Sequence, residues 1–540
     1  MSGLSSYESG ASWLARPGAQ IGTVEAMEQR RSAVLQLGVV LALAGCSVGP
    51  SFTTPQVNVA QSDPRLATQA AVDTSWWKTF DDAILDRLVE LAHAQNLPLQ
   101  VAGLRIVEAR AQLGIATGRQ FPQTQVLLGS AAANGLSKNT PIGAFLPNRH
   151  FGDYQLGFDA AWEIDLWGKY RSGVDAEAAS LLASVADYYG AFVSLTAEVA
   201  RTYVEIRTFE VLLQQARDNA KLQQQGLEIA QSRYHNGATS ELDPSQATAL
   251  LESTLASIPQ LQASVQQARN ALCTLLGQAP GTVEAVLGGR AGIPNAPAKV
   301  AVGVPAEMLR RRPDIRSAEL NAAAQCARIG VAKAQLYPSF SLLGTIGLQT
   351  STVGGTTHSL FSTNSIFYQA GPQVTWPFFN YGRLSNAVRV EDARFQQLLV
   401  NYRDTVLKAA QEVEDSLAGF LNSEEALKHN QGAVAAAQRA VELSFVMYRE
   451  GAADYQRVLD AERSLLDQQQ SLARTTSDVA TNLIALYKAL GGGWELREGQ
   501  PVVPEATQAE MKARTRWGDM LSEPRAPEKT QTQTPPPAKQ

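Results

Sequence analysis

The segment YQLGFDAAWEIDLWGKY, residues 154–170, returns 214 residues later as YQAGPQVTWPFFNYGRL, residues 368–384, with Tyr, Gln, Gly, Trp and Gly in register. The shift persists downstream: Tyr234 and Gly237 match Tyr448 and Gly451, and Gly277 matches Gly491. Upstream it becomes 216, where LGIATGRQFPQ (113–123) matches IGVAKAQLYPS (329–339). Chance does not hold a register over such a span. The chain is a tandem duplication of roughly 200 residues, far longer than a solenoid unit.

Each half follows one plan. A helix ends near Pro122 or Pro338, since proline disfavours helix in the residue before it. Two strands follow, expected near 121–133 and 153–166 in the first half, and near 338–349 and 366–379 in the second. In YQLGFDAAWEIDL, Tyr154, Leu156, Phe158, Trp162 and Ile164 fall on one face, while Gln155, Asp159, Glu163 and Asp165 fall on the other. A period of two suits a strand that is apolar on one side and wet on the other. A soluble sandwich shows the same alternation but needs more strands than two hairpins. After each hairpin, Tyr170–Tyr234 and Arg383–Tyr448 contain no proline and are rich in Ala, Gln, Glu, Arg and Leu. Each predicts a helix approaching ~100 Å at ~1.5 Å per residue. Gly237 and Gly451 are placed as C-caps, and Asp243-Pro244 reads as the N-cap and first position of a returning helix. Four strands are too few to close a transmembrane barrel, for which ~8 is the lower bound, so other subunits must complete it.

The start of the chain carries a different signal. Residues 33–45 are almost wholly apolar, follow Arg30 and Arg31, and end in Leu43-Ala44-Gly45-Cys46. The run is too short to span a bilayer but suits a signal h-region, and its last four residues match a lipobox. We therefore expect residues 27–45 to be a lipoprotein signal translated from Met27, residues 1–26 to be dispensable, and Cys46 to carry diacylglycerol and an N-acyl chain. Residues 46–75 would form the lipidated leader. No second long apolar run is evident, so no helix is expected to cross a membrane. A net charge of -5 gives no basic excess for nucleic acid. Cys273 and Cys326 sit in apolar helical settings and read as buried thiols, with a disulfide left open. The ending, residues 494–540, is polar and closes in TQTQTPPPAKQ, so it is expected to be disordered.

Several motifs in order resemble the TolC-like outer-membrane factor family, in its lipoprotein branch serving RND-type multidrug efflux pumps. They are CSVGPSFTTP (46–55), SWWKTFDDAILDRLVELAHAQN (75–96), WEIDLWGKYR (162–171) and LRRRPDIRSAE (309–319). The resemblance implies an α+β membrane protein in which each chain supplies two β-hairpins and long antiparallel helical hairpins. A homotrimer would form a 12-stranded β-barrel and an α-helical periplasmic tunnel. It divides the chain into a first repeat at 76–277, an inter-repeat equatorial segment at 278–308 and a second repeat at 309–493. It also implies a passive exit channel served by a periplasmic adaptor protein and an inner-membrane RND-type transporter. A channel for type I protein secretion and a coiled-coil lipoprotein scaffold are the competing readings.

The same resemblance places a periplasmic gate in YREGAADYQRVLDAERSL (448–465), with Asp454 among its residues, Asp460 at an acidic-ring position, and Tyr448 and Arg457 supplying the hydrogen bonds or ion pairs that hold the closed state. Arg457 stands where some relatives carry a second acid, which argues against a double ring. Asp454, Arg457 and Asp460 read equally as surface pairs at i,i+3 spacing, worth ~0.2–0.5 kcal/mol each. Asp159 and Glu163 on the wet strand face would line a pore and favour cations. The helical tips at Gly237 and Gly451 would meet the adaptor. No enzyme is expected. His93, His150, His235, His358 and His429 are scattered, with no metal or phosphate motif among them. Ser75-Trp76-Trp77-Lys78 matches Ser-x-x-Lys without the accompanying lactamase motifs.

Overall fold

The structure is a computed structural model that describes residues 47–57, 74–145, 148–288, 292–297, 311–352 and 358–521. The proposed signal, Cys46 and the last residues of the tail lie outside the described residues. The chain divides into two compact units.

The first unit takes in Gln120–Ser172 and Gly330–Ser385 and is built on one antiparallel sheet in the order β1-β2-β3-β4. The strands are β1 Thr124–Gly135, β2 His150–Ile164, β3 Ser339–Ser351 and β4 Ile366–Thr375. The central pairing, β2 with β3, joins the two halves of the duplication. Paired residues share a face, so the register fixes both surfaces of the sheet. Leu127, Phe158, Ile346 and Tyr368 lie together on one, and Asp159, Thr345 and Gln369 on the other. The apolar face is open: Leu127 is 73% and Tyr368 79% exposed.

Two tryptophans at equivalent places pin the start of each half's first strand. Trp162 Nε1 donates to the Gln120 carbonyl (3.2 Å), and Trp376 Nε1 donates to the Leu336 carbonyl (3.1 Å). In both cases the acceptor stands two residues before the proline that ends the preceding helix. The predicted fourth strand, 366–379, is too long. Pairing stops at Thr375, because Pro377 has no N–H to donate and Trp376 has turned its indole to the carbonyl of Leu336. Phe378, Phe379 and Tyr381 then stand out from the unit, with Phe379 83% exposed.

The second unit is helical: α1 Ala83–Gln95, α2 Leu97–Gly118, α3 Lys169–His235, α4 Leu242–Leu275, α5 Pro313–Ala334, α6 Arg383–Arg449, α7 Tyr455–Ala489 and α8 Glu505–Arg514. The helices α3 and α6 are each 67 residues long, and their ends differ by the repeat shift of 214 at both termini. Glycines in the left-handed region mark these boundaries at the same spacing: Gly168 and Gly382 precede the long helices, Gly237 and Gly451 follow them, and Gly277 and Gly491 follow the returning ones. At Gly237 and Gly451 the closing bonds are complete, with Gly237 N–H donating to Tyr234 O and Ala238 N–H to Arg233 O, and Gly451 N–H to Tyr448 O and Ala452 N–H to Met447 O. This is the Schellman arrangement, which needs a residue at positive φ. Gly451→Ala meets only the Arg233 guanidinium at 3.7 Å, so its cost is the backbone one. It should lower stability by about 1 kcal/mol in thermal unfolding.

An 18-residue window of α3 reaches a mean hydropathy of 1.3 with a third of it buried, so by length and composition one helix among the described residues is apolar enough to cross a membrane. The apolar runs of the sequence predict none. The same helix carries Tyr188, Phe192, Val199, Tyr203 and Ile206 into the largest core cluster, and a core helix reaches that hydropathy as readily. Trp76 and Trp77 belong to the same cluster, Trp76 stacking on Tyr487 at 5.3 Å. The Ser75-x-x-Lys78 stretch is thus the entry to a buried aromatic anchor. His93 is a core residue too. Its Nε2 lies 2.8 Å from Thr196 Oγ1, and burial holds its pKa near 4. Cys273 and Cys326 are both buried and are not bonded to one another.

The end of the chain departs from the expected disorder. Residues 494–521 are folded, with α8 and two short 3-10 turns at Trp494–Arg497 and Gly518–Leu521. Val503, Met511 and Leu521 are buried against Val107 of α2. Gly103 makes this approach possible, since a β-carbon there would lie 2.1 Å from the Val502 carbonyl. Arg110 Nη1 adds a bond to Met520 O at 3.0 Å. Averaged composition hides this because a few widely spaced apolar side chains dock an otherwise polar segment.

Candidate functional site

The predicted gate residues all lie where α6 turns into α7, at the C-terminal end of the second long helix. Their side chains part company there. Tyr448 is fully buried in a cluster with Leu227, Leu250, Phe445, Tyr455 and Leu459. Its hydroxyl donates to Asp243 Oδ2 at 2.9 Å, and its ring lies 5.0 Å from that of Tyr455. The Arg233 guanidinium sits 4.7 Å over the Tyr448 ring, and Nη1 donates to the Tyr448 and Arg449 carbonyls at 2.6 and 3.0 Å. Thr239 donates its hydroxyl to the same Asp243 oxygen. Burial, then the bond to the Asp243 carboxylate, pushes the Tyr448 phenol up to about 12, so it stays a donor at any physiological pH.

Asp454, Arg457 and Asp460 do not join this cluster. Asp454 and Arg457 approach no closer than 4.0 Å, with both side chains about three-quarters exposed. Asp460 accepts from Gln456 Nε2 at 2.9 Å. Asp454 stands at the N-cap of α7, yet its side chain makes no capping bond. Tyr448 is therefore held by Asp243 and Arg233, while Arg457 and Asp460 stand apart from it in solvent. Asp243 was read as the N-cap of α4, but the helix begins at Leu242 with Glu241 in that place, which frees the Asp243 carboxylate to reach across to α6. The repeat register held the missing signal: shifted by 214, Asp243 lands on Arg457, so each tip carries a charged group at the same station.

The second candidate region is the polar face of the sheet. Asp159 lies between Val126 and Thr345 in register, and among the described residues no hydrogen bond or ion pair reaches its carboxylate. Glu163 differs. Its Oε1 accepts from Lys169 Nζ at 2.9 Å and its Oε2 from the Tyr170 hydroxyl at 3.0 Å. The Lys169 charge therefore offsets that of Glu163, and Asp159 is the stronger contributor of negative potential.

A sequence profile described as outer membrane efflux protein matches residues 88–278 and 304–492, one match for each half of the duplication. The chain belongs to this family. It is 30% identical to a probable outer membrane lipoprotein, SilC, of Salmonella typhimurium, over 85% of this chain and 98% of that protein. It is 31% identical to the pyoverdine export outer membrane protein OpmQ of Pseudomonas putida, over 85% of this chain and 97% of that one. Among solved structures, the outer-membrane channel OprN superposes with a TM-score of 0.77 at 32% identity, covering 83% of this chain and all of that one. Such relatives are TolC-like outer-membrane factors, and this family member is an outer-membrane efflux channel with a periplasmic portion.

Proposed function

We propose that three copies of this chain form a passive exit duct that carries small toxic compounds across the outer membrane from an inner-membrane RND-type transporter, joined to it by a periplasmic adaptor. One observation carries the reading: a four-stranded sheet that is apolar on one face, polar on the other and unpaired at both edges. Strands of 10 to 15 residues suit a bilayer, where ~9–11 tilted residues span the hydrocarbon. Open edges are not tolerated in lipid, so β4 of one protomer must pair with β1 of the next. Three sheets of four give twelve strands, within the range of closed barrels. The outer membrane lipid would meet Leu127, Phe158, Ile346 and Tyr368, with the exposed Trp376, Phe378 and Phe379 at its boundary. Cys46 would add acyl chains that assist anchoring, which intact mass of the membrane-purified protein checks.

In this reading the helical tips at Gly237 and Gly451 face the adaptor, and the Tyr448–Asp243–Arg233 cluster latches the closed state. Asp454, Arg457 and Asp460 stay solvated and set the charge at the aperture. Cargo is chosen upstream, so the duct needs only a wet, weakly cation-favouring lumen, and no catalytic group is required. Purified protein in planar bilayers tests this. Discrete conductance with cation-biased reversal potentials in a salt gradient is the expected result. Asp159→Asn should reduce that bias more than Glu163→Gln does, because Lys169 already neutralises Glu163. Absence of conductance from a well-folded preparation contradicts the duct.

A further inference from the structure

Glu462 sits in α7 in surroundings that do not suit a charge. It is 2% exposed, and neither carboxylate oxygen has a hydrogen-bond partner. Val458, Leu459 and Leu465, at i−4, i−3 and i+3, share its helix face and belong to the tip core. Across from α7, Gln223 of α3 is equally buried, with neither amide atom partnered, and it stands between Ala220 and Leu227 on the face that enters the same core. Space there is tight: a β-carbon on Gly226 would lie 3.1 Å from the Tyr455 hydroxyl and 3.2 Å from the Phe445 ring. The titratable and charged groups of this cluster are Tyr455 on the same helix, Tyr448 from α6, Asp243 from α4 and Arg233 from α3. Arg233 is committed to Tyr448. No cation reaches Glu462 among the described residues. A buried ionised carboxylate without a partner is costly, so these surroundings favour its protonated form.

We propose that Glu462 is a protonation switch for the helical tip: neutral, it completes the core that supports the Tyr448–Asp243 latch, and ionised, it is drawn towards water and loosens that core. The link to channel opening rests on the gate reading above; the effect on packing does not. Burial pushes the carboxyl up to about 7 from an ordinary value of 4.5. The packed tip therefore binds more protons than the loosened one between those values. Its stability is greatest below 4.5, falls as pH rises through the window, and is level above about 7. Acid tightens the tip and neutral to alkaline conditions relax it, with the opening equilibrium rising by up to roughly 300-fold across the window.

Hydrogen exchange on the full-length protein, corrected for intrinsic rates, tests the switch through peptides covering residues 441–466 and 220–251. Protection in the native chain should fall between pH 5 and pH 8. In Glu462→Gln it should stay high and nearly independent of pH, and Glu462→Leu should behave alike. The switch is overturned if the native chain shows no such fall, or if Glu462→Gln retains it. Bilayer recordings over the same pH range then address gating separately. A pH-dependent exchange pattern with unchanged open probability would keep the packing switch and reject its coupling to the gate.

Discussion

Asp243→Ala is expected to shift the channel towards its open state by roughly 10- to 150-fold, because it leaves the buried Tyr448 hydroxyl without its charged acceptor, a loss of about 1.5–3 kcal/mol. The effect follows from where the bond is made. It crosses from α4 to α6, so it ties the returning helix of the first repeat to the outgoing helix of the second. In the proposed gate those helices part on opening, and no other described side chain offers the Tyr448 hydroxyl a carboxylate. Tyr448→Phe should act in the same direction but more weakly, since Thr239 still satisfies one Asp243 oxygen and no buried donor is stranded. Arg457→Ala and Asp460→Ala should change open probability little, because both groups are solvated. Single-channel recordings and passive entry of large antibiotics in cells carrying each variant measure the series. Wild-type behaviour of Asp243→Ala would remove the latch from the account.

Trp76→Ala is expected to cost about 3–5 kcal/mol, the range for truncating a large buried aromatic. The Trp76 side chain has no exposed surface, stacks on Tyr487 of α7 and meets Trp77 edge-on at 5.9 Å, so its removal opens a cavity where the segment leading into α1 is fastened to α7. Trp76→Phe should lose much less. It keeps a ring in the site and removes an indole N–H that is buried without an acceptor. Thermal unfolding followed by circular dichroism, together with the amount of folded protein recovered from membranes, reads both variants. Equal destabilisation by the two would point to the indole's polar edge instead of its packing.

Much of this architecture is legible in one sequence because it is written twice. Positive-φ glycines stand at both ends of the two long helices and after the returning ones, and only a residue without a β-carbon adopts that conformation freely, so Gly237 and Gly451 mark the turns directly. Strand faces follow from period-two alternation, which the sheet register reproduces residue by residue. What escaped depends on contacts between distant segments. The role of Asp243 arises from Tyr448, 205 residues away. The burial of Glu462 arises where residues of α3, α4, α6 and α7 form the tip core, since in sequence it is one acid beside Arg463 in a polar-looking helix. The fold of residues 494–521 depends on a groove at Gly103 that local composition does not reveal.

The central claim is that an open four-stranded sheet is completed by its own copies, and cross-linking across that seam tests it most directly. A cysteine at Ala131 of β1 can be combined with single cysteines placed in turn along β4, while the native Cys273 and Cys326 stay buried and silent. Oxidation in native membranes should yield a covalent trimer at a subset of β4 positions that recur every second residue, matching one strand face. If every position gives only monomer, or if the products stop at dimer, the chain does not close its barrel through β1 and β4 and the account fails.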